Sequence, residues 1–282
     1  MKQILVTGAT GTVGRQVVSQ LLATDVLVRA LTRDPDSANL PPGVDVRRGD
    51  LTVPETLDAC LDGVDVVFLV WTADPSAVST AVNRIAKHAR RIVFLSSPHQ
   101  TPHPLFQQPN PLAAMHAEIE RLIQASGLEW TFLRPGMFAA NARSWWAPQI
   151  RSGEVVRWPY GDAPTAPIHE ADIAAVAVRA LLDIGHNGAD YVLTGPQSLT
   201  QREQVEIIGE VIGRTLRFEE MSPEAARQEL GFPATAINML LNAWAAAVGQ
   251  PALVTSTVAD ITGNPARSFR DWVVDNVDEF KS

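Results

Sequence analysis

Short apolar, β-branched runs alternate with segments of helical periodicity through the first half of this chain. Residues 4–7 predict a strand and 12–23 a helix. Strands follow at 26–31 and 44–48, then a helix at 54–61. Residues 64–70 are nearly all apolar, the pattern of a strand buried on both faces. A helix at 76–89 and a strand at 92–95 come next. Over 112–126, Leu112, Met115, Ile119, Leu122 and Ile123 form one stripe at helical spacing. Gly127 stops that helix, and 130–133 is the next strand. Such alternation predicts an α/β fold, a doubly wound parallel sheet with helices on both faces.

The second half is less regular. Residues 141–167 are rich in Trp, Pro and Gly, with a hairpin expected around Gly153. A helix at 170–182 and a strand at 191–194 return to the sheet pattern, and the remainder reads as mostly helical. Residues 236–248 are apolar but broken by Asn238 and Asn242, too short and too polar to cross a bilayer. No charged-then-apolar leader precedes the first strand, so a soluble, cytoplasmic protein is expected.

Gly8, Gly11 and Gly14 follow the first strand and open the first helix, in the run VTGATGTVGR. A tight turn needs one glycine with free dihedrals, and a pyrophosphate needs backbone without a Cβ in the way. The helix start then offers unpaired N–H groups and partial positive charge. The strand–turn–helix setting makes this a dinucleotide cradle, built from Gly8, Thr10, Gly11, Thr12, Val13, Gly14 and Arg15. The second strand runs into RALTRDP. Arg33, with Arg15 beside it, suits the 2′-phosphate of NADP, while Asp34 keeps NAD open. NADPH is the expected preference over NADH. The organisation that follows is a Rossmann core at 1–140, rejoined by 167–194. A smaller substrate lobe comes from 141–166 and 195–282.

Charge and cysteine content narrow the class. Twenty-three basic against 31 acidic residues give a net charge of −8, which disfavours nucleic acid as a partner. The single cysteine, Cys60, rules out a disulfide framework within the chain and reads as a packing residue.

TGATGTVG, LTRDP, GDL at 49–51, Ser96–Ser97 and ASGLEWTFLRPGMFAAN together resemble the NmrA-like group of atypical short-chain dehydrogenase/reductases. The resemblance covers about residues 1–195. It implies NAD(P) binding, with Asp50 and Leu51 at the adenine. It also implies Trp71 and Thr72 in the cofactor cleft and Pro135, Gly136 and Phe138 near the nicotinamide. One departure is plain. The superfamily's Tyr-x-x-x-Lys pair is absent: the tyrosines, Tyr160 and Tyr191, are followed four residues on by Pro164 and Gly195. The lysines are Lys2, Lys87 and Lys281.

His116 stands where that pair would fall, with Glu120 one turn on. As a catalytic reading, the carboxylate orients the imidazole or raises its pKa so that it donates a proton near neutral pH; as a structural one, the two form a surface ion pair. Ser96 and Ser97 are candidates for polarising a substrate, or a simple turn before Pro98. His99 and His103 lie in a Pro-rich loop that reads as a lid rather than a metal site. Trp145 and Trp146 fit a flat substrate-pocket wall, and equally lobe packing or a homodimer contact. His169 either caps the helix at 170 or touches substrate. No metal is expected.

Three functions remain open on these residues. The first is an NAD(P)H-dependent reductase of an apolar aromatic, quinone or conjugated-carbonyl small molecule. The second is a non-catalytic dinucleotide sensor, and the third a non-redox biosynthetic enzyme. Fold alone does not choose among them.

Overall fold

A computed structural model describes residues 1–281. Seven parallel strands form the central sheet. They are β1 (Gln3–Val6), β2 (Leu27–Thr32), β3 (Asp45–Arg48), β4 (Val66–Leu69), β5 (Arg91–Leu95), β6 (Glu129–Pro135) and, later in the chain, β9 (Ala189–Leu193). Their spatial order is β3-β2-β1-β4-β5-β6-β9. The order reverses between β1 and β4, which opens a crevice at the carboxyl ends of these two strands. Thr7 stitches that point: its hydroxyl donates to the Val70 carbonyl (3.1 Å) and accepts from the Val70 N–H (2.8 Å).

Helices cover both faces, as the alternation predicts. On one side α1 (Thr12–Leu21) and α7 (Glu170–Leu182) pack Val17, Leu21, Ile173 and Ala177 onto the sheet. On the other, the short α2 (Asp58–Leu61), α3 (Val78–His88) and α4 (Pro111–Ala125) bury Leu61, Val82, Ile85, Ile119 and Ile123. All four residues of β4 are buried, which is why its sequence runs VVFL without alternation.

A second core lies beyond the carboxyl end of the sheet. Before α7, the chain supplies α5 (Ala142–Trp145), α6 (Ala147–Ser152), β7 (Val155–Trp158) and β8 (Pro164–Thr165). After β9 come β10 (Leu199–Thr200), α8 (Gln201–Ile212), β11 (Arg217–Glu220), α9 (Pro223–Glu229), α10 (Ala234–Ala247) and α12 (Phe269–Asp275), while α11 (Thr257–Thr262) between the last two packs Val258 back onto the first core. No hairpin forms at Gly153. That residue ends α6 in extended backbone, and β7 runs parallel to the distant β11. Capping boxes at Thr200/Glu203 and Ser268/Asp271 start α8 and α12. The first turn of α7 fastens the lobe down. Asp172 accepts from the Arg267 N–H (2.7 Å) and pairs with its guanidinium, while Glu170 accepts from the Trp272 indole (2.8 Å) and from Arg143 (3.1 Å).

Trp145, Trp146, Trp158 and Trp244 meet edge to face or stacked, with centroids 5.4–6.3 Å apart. Trp158 is 1% exposed and its indole donates to Gln201 (2.8 Å). Replacing Trp158 with Ala should therefore cost about 3–5 kcal/mol of stability. Urea unfolding followed by tryptophan fluorescence and far-UV circular dichroism would measure it; a loss under 1 kcal/mol would show that the cluster does not hold the lobe.

Candidate active site

The glycine turn has the geometry that a dinucleotide demands. Gly8 has φ +60°, and a Cβ there would stand 2.9 Å from the Val70 Cβ. A Cβ on Gly14 would come within 2.1 Å of the Gly8 carbonyl oxygen, so α1 starts hard against the turn. The N-cap of α1 is Gly11, which has no side chain to satisfy the first amides, and the first turn carries no acid. Thr10, Gly11 and Thr12 are exposed there, while Val13 is buried beneath them. Free N–H groups without a competing carboxylate fit a pyrophosphate.

From the turn, a cleft of about 410 Å³ runs toward β2 and β3. Gly8, Thr10, Arg33, Asp34, Asp50, Leu51 and Thr72 are among the residues lining it. The Asp50 carboxyl lies below the usual carboxylate range because the Thr52 amide and hydroxyl donate to it, each at 2.8 Å. Arg33 is exposed at the rim. Arg15 is placed differently from the expectation of a second phosphate-binding guanidinium. It donates to the carbonyls of Thr10 (3.2 Å), Asn39 (2.9 Å) and Ala38 (3.3 Å), tying the segment after β2 to the glycine turn.

Val70 and Thr72 line this cleft and also a second cavity, of about 350 Å³, at the carboxyl ends of β5 and β6. The two spaces therefore adjoin at these residues. Trp71, Pro135, Gly136 and Phe138 line the second cavity. Its outer walls come from Leu105 and Phe106 of the loop after β5 and from Met239 and Leu240 of α10. Ser96, Ser97, His99 and His116 supply its polar side.

The expected His116–Glu120 partnership does not form. Glu120 instead receives a bidentate Arg134 guanidinium (3.0 and 2.7 Å) and the Ser96 hydroxyl (2.6 Å). Beneath the cavity floor both ends of the Glu120–Arg134 pair are almost fully buried. Arg134 reaches Asp190 as well (3.1 Å), and His99 Nε2 stands 3.6 Å from Glu120. His116 packs edge-on against Phe94 with its Nδ1 unpartnered. Burial, reinforced by His99 and opposed by Glu120, pushes the His116 imidazole down to about 4. Burial thus works against the charged, proton-donating form of His116 near neutral pH.

Three further candidates lie away from the cavity. Trp146 is 1% exposed in the lobe core, Trp145 stacks on Trp158, and neither lines the cavity wall. Indoles of that size can leave water only by packing together. His169 caps α7: its Nδ1 accepts from the Ala171 N–H (3.0 Å), and its Nε2 lies 3.4 Å from Asp275. Cys60 is buried in the core with its thiol pushed up by burial. Among the described residues no cluster of side chains could hold a metal, and no helix is long and apolar enough to cross a membrane.

The NAD(P)H-binding family profile matches residues 8–184. The chain belongs to this NAD(P)H-binding family. It is 41% identical to the (4-alkanoyl-5-oxo-2,5-dihydrofuran-3-yl)methyl phosphate reductase of Streptomyces griseus, across 98% of this chain and 99% of that protein. It is 35% identical to an NAD(P)H azoreductase of Xenophilus azovorans, across 95% and 96%. The Escherichia coli NADPH-dependent quinone oxidoreductase complexed with NADPH superposes with a TM-score of 0.81 at 25% identity, over 97% of this chain and 99% of that one. This protein is an NAD(P)H-dependent oxidoreductase.

Several site residues have no local sequence signal. Arg134 lies just past the strand expected at 130–133, in a segment noted only for Pro135, Gly136 and Phe138, and Glu120 looks like the partner of His116. Only the fold brings α4, β5 and β6 together. The contribution of α10 is equally hidden, because its apolar run reads as packing alone.

Two outcomes follow from this geometry. Arg33→Ala should weaken NADPH binding about tenfold or more and leave NADH within about threefold, since a charge-assisted bond to the 2′-phosphate is worth roughly 1.5–3 kcal/mol. Fluorescence titration of both cofactors checks this, and an equal loss for both would place the 2′-phosphate elsewhere. His116 makes the fold acid-sensitive. It protonates below about pH 6.5 when unfolded but only near 4 when folded. Its contribution is therefore full above pH 6.5 and declines by roughly 3 kcal/mol as pH falls to 4. His116→Gln should lose about 2 kcal/mol less than the parent between pH 7 and 4.5 in urea unfolding; matching losses would refute the buried neutral ring.

Proposed function

We propose that this NmrA-like protein is a cytoplasmic NADPH-dependent reductase of a flat, apolar acceptor, a quinone or conjugated carbonyl, held in the cavity at the ends of β5 and β6. The observation that carries this reading is that Val70 and Thr72 line both a largely apolar cavity and the dinucleotide cleft, so the two spaces adjoin there. Substrate and reduced cofactor would meet there, with the fold supplying orientation. The relatives named for azo and quinone acceptors support the same substrate class.

The cofactor supplies hydride when bound. The chain's part is to orient the acceptor and exclude water. Trp71, Phe106, Phe138, Met137 and Leu240 would sandwich a planar ring system. Trp71 is rigid in this role, since its indole donates to the Ala73 carbonyl (3.0 Å). With no Tyr-Lys pair and with His116 uncharged, a substrate whose reduced oxygen takes its proton from solvent suits the site best. Ser96 is not free to donate, because its hydroxyl proton is held by Glu120. A lactone such as that of the Streptomyces relative is a conjugated carbonyl too, but no lysine or arginine lines this cavity to receive its phosphate.

The test is acceptor-dependent loss of NADPH absorbance with 2-methyl-1,4-naphthoquinone, 2-cyclohexenone and an azo dye. Turnover on the quinone, at least tenfold above the rate without acceptor, is expected. Tight binding of both NADPH and NADP⁺ without turnover on any acceptor would overturn the reductase and select the sensor.

A further inference from the structure

The loop between β5 and α4 leaves from the sheet, yet it packs with the lobe. Leu105 is buried in the second core, which also holds Leu241 and Trp244 of α10, and the half-buried Phe106 packs against that core. Both residues line the cavity, as do Met239, Leu240 and Ala243 of α10. Phe106 also reaches the end of β6: a Cβ built on Gly136 would stand 3.5 Å from the tip of its ring. Among the described residues one hydrogen bond joins this loop to the lobe. It runs between His103 Nε2 and the Pro251 carbonyl, 3.0 Å apart, just past the end of α10. We infer that His103 is a positioning residue of the acceptor site: it latches the loop to the end of α10 and so holds Leu105 and Phe106 in place as the outer wall of the cavity. The inference rests on the proposed reading of this cavity as the acceptor site and adds what keeps its wall in place.

The latch is braced on both sides. His103 stands in TPHPLF, between Pro102 and Pro104. Two ring-fixed φ angles, and the restriction on a residue that precedes proline, leave this stretch few conformations, so little entropy is lost in presenting the imidazole. The His103 carbonyl accepts from the N–H groups of Phe106 (2.9 Å) and Gln107 (3.2 Å). The Leu105 N–H donates to its Nδ1 at 3.2 Å. A backbone amide only donates and a carbonyl only accepts, so a ring with its hydrogen on Nε2 meets both partners at once. The imidazole also lies against the Phe106 ring, with centroids 5.6 Å apart. On the far side, the Gln250 N–H donates to the Ala247 carbonyl (3.1 Å) and the Ala252 N–H to the Ser198 hydroxyl (2.9 Å), which fixes Pro251 between them.

His103 does not line the cavity itself, so its effect on an acceptor passes through Leu105 and Phe106. The bond to Pro251 is single and exposed. An exposed hydrogen bond contributes modestly, which suits a latch that has to yield when substrate enters or product leaves. Burial of Leu105 keeps the loop on the lobe when the bond is broken, but the Phe106 ring then loses its fixed distance from α10. A planar acceptor would be gripped less firmly on that side. Weaker grip in ground state and transition state alike shows in KM rather than in kcat.

Hydrogen exchange and kinetics on the full chain test this. His103→Phe keeps a ring beside Phe106 and loses both ring hydrogen bonds. In the NADP⁺-saturated protein without any acceptor, peptides covering 100–108 of this variant should exchange roughly threefold faster or more, with β4 and β5 unchanged. In quinone reduction it should raise the KM for 2-methyl-1,4-naphthoquinone about five- to tenfold, with kcat and the KM for NADPH within about twofold. His103→Gln retains an N–H able to reach the Pro251 carbonyl and should bring both readouts back to within about twofold of the parent. Ser198→Ala frees the Pro251 segment from the other side, and it should speed exchange over 100–108 by roughly twofold or more. Ser198 is exposed, so this variant reports even where a change at His103 disturbs folding. Unchanged exchange in the loop, acceleration spread evenly over the sheet, an unchanged quinone KM, or a His103→Gln protein no better than His103→Phe overturns the latch. Failure of the reductase reading looks different: the loop responds as expected, but the unaltered protein reduces no quinone.

Discussion

The buried pair of Glu120 and Arg134 is the interaction on which the active-site end of the sheet depends. Taking a carboxylate and a guanidinium out of water costs several kcal/mol per ion, and their attraction offsets this only when geometry and further hydrogen bonds are good. Here the fork is bidentate, the Ser96 hydroxyl fills part of the remaining carboxylate capacity, and Asp190 takes a second edge of the guanidinium. The pair is thus a positional device more than a source of stability. It locks α4 to the ends of β5 and β6, and the loop carrying Ser97 and His99 leaves from that locked corner. Removing one partner alone would strand the other charge beneath the cavity floor.

That arrangement also explains how a Rossmann fold can lack the Tyr-Lys pair and keep an ordered substrate end. In the pair's place on α4 stands His116, too deeply buried to hold a charge at neutral pH. A neutral ring packed edge-on against Phe94 contributes shape. The carboxylate one turn further along, which might have activated it, faces the strand instead and is neutralised by Arg134. A residue four positions from a histidine on a helix is a neighbour, but tertiary partners decide whether it is the partner.

Legibility in the sequence followed the range of the interactions involved. Strand–turn–helix at Gly8–Gly14 is local, and the Gly14 backbone contact that fixes it lies within seven residues. The α7 helix is marked at its start by His169, Glu170 and Asp172, and its observed span is the expected one. The lobe was harder. Its β7 pairs with β11 some sixty residues away, so no hairpin signal exists to be read. Trp145 and Trp146 look like a pocket wall because large aromatic residues in an irregular segment suit either use. Their burial against Trp158 and Trp244 depends on α10, which arrives a hundred residues later. Arg15 and Arg33 illustrate the same limit at short range, since nothing in their spacing says that one guanidinium will be consumed by loop carbonyls.

The division of labour in the fold follows from these distances. The dinucleotide end is built from backbone, through the glycine turn and the bare start of α1, and tolerates little change because the constraint is steric. The substrate end is built from side chains contributed by five segments: the end of β5, the end of β6, the loop into α4, α4 itself and α10. Each can be replaced without disturbing the sheet, so the walls can vary while the cradle does not. Relatives with azo, quinone and furanone phosphate acceptors on one scaffold fit that construction. In this chain the side chains give apolar walls over a floor whose buried charges pair with each other.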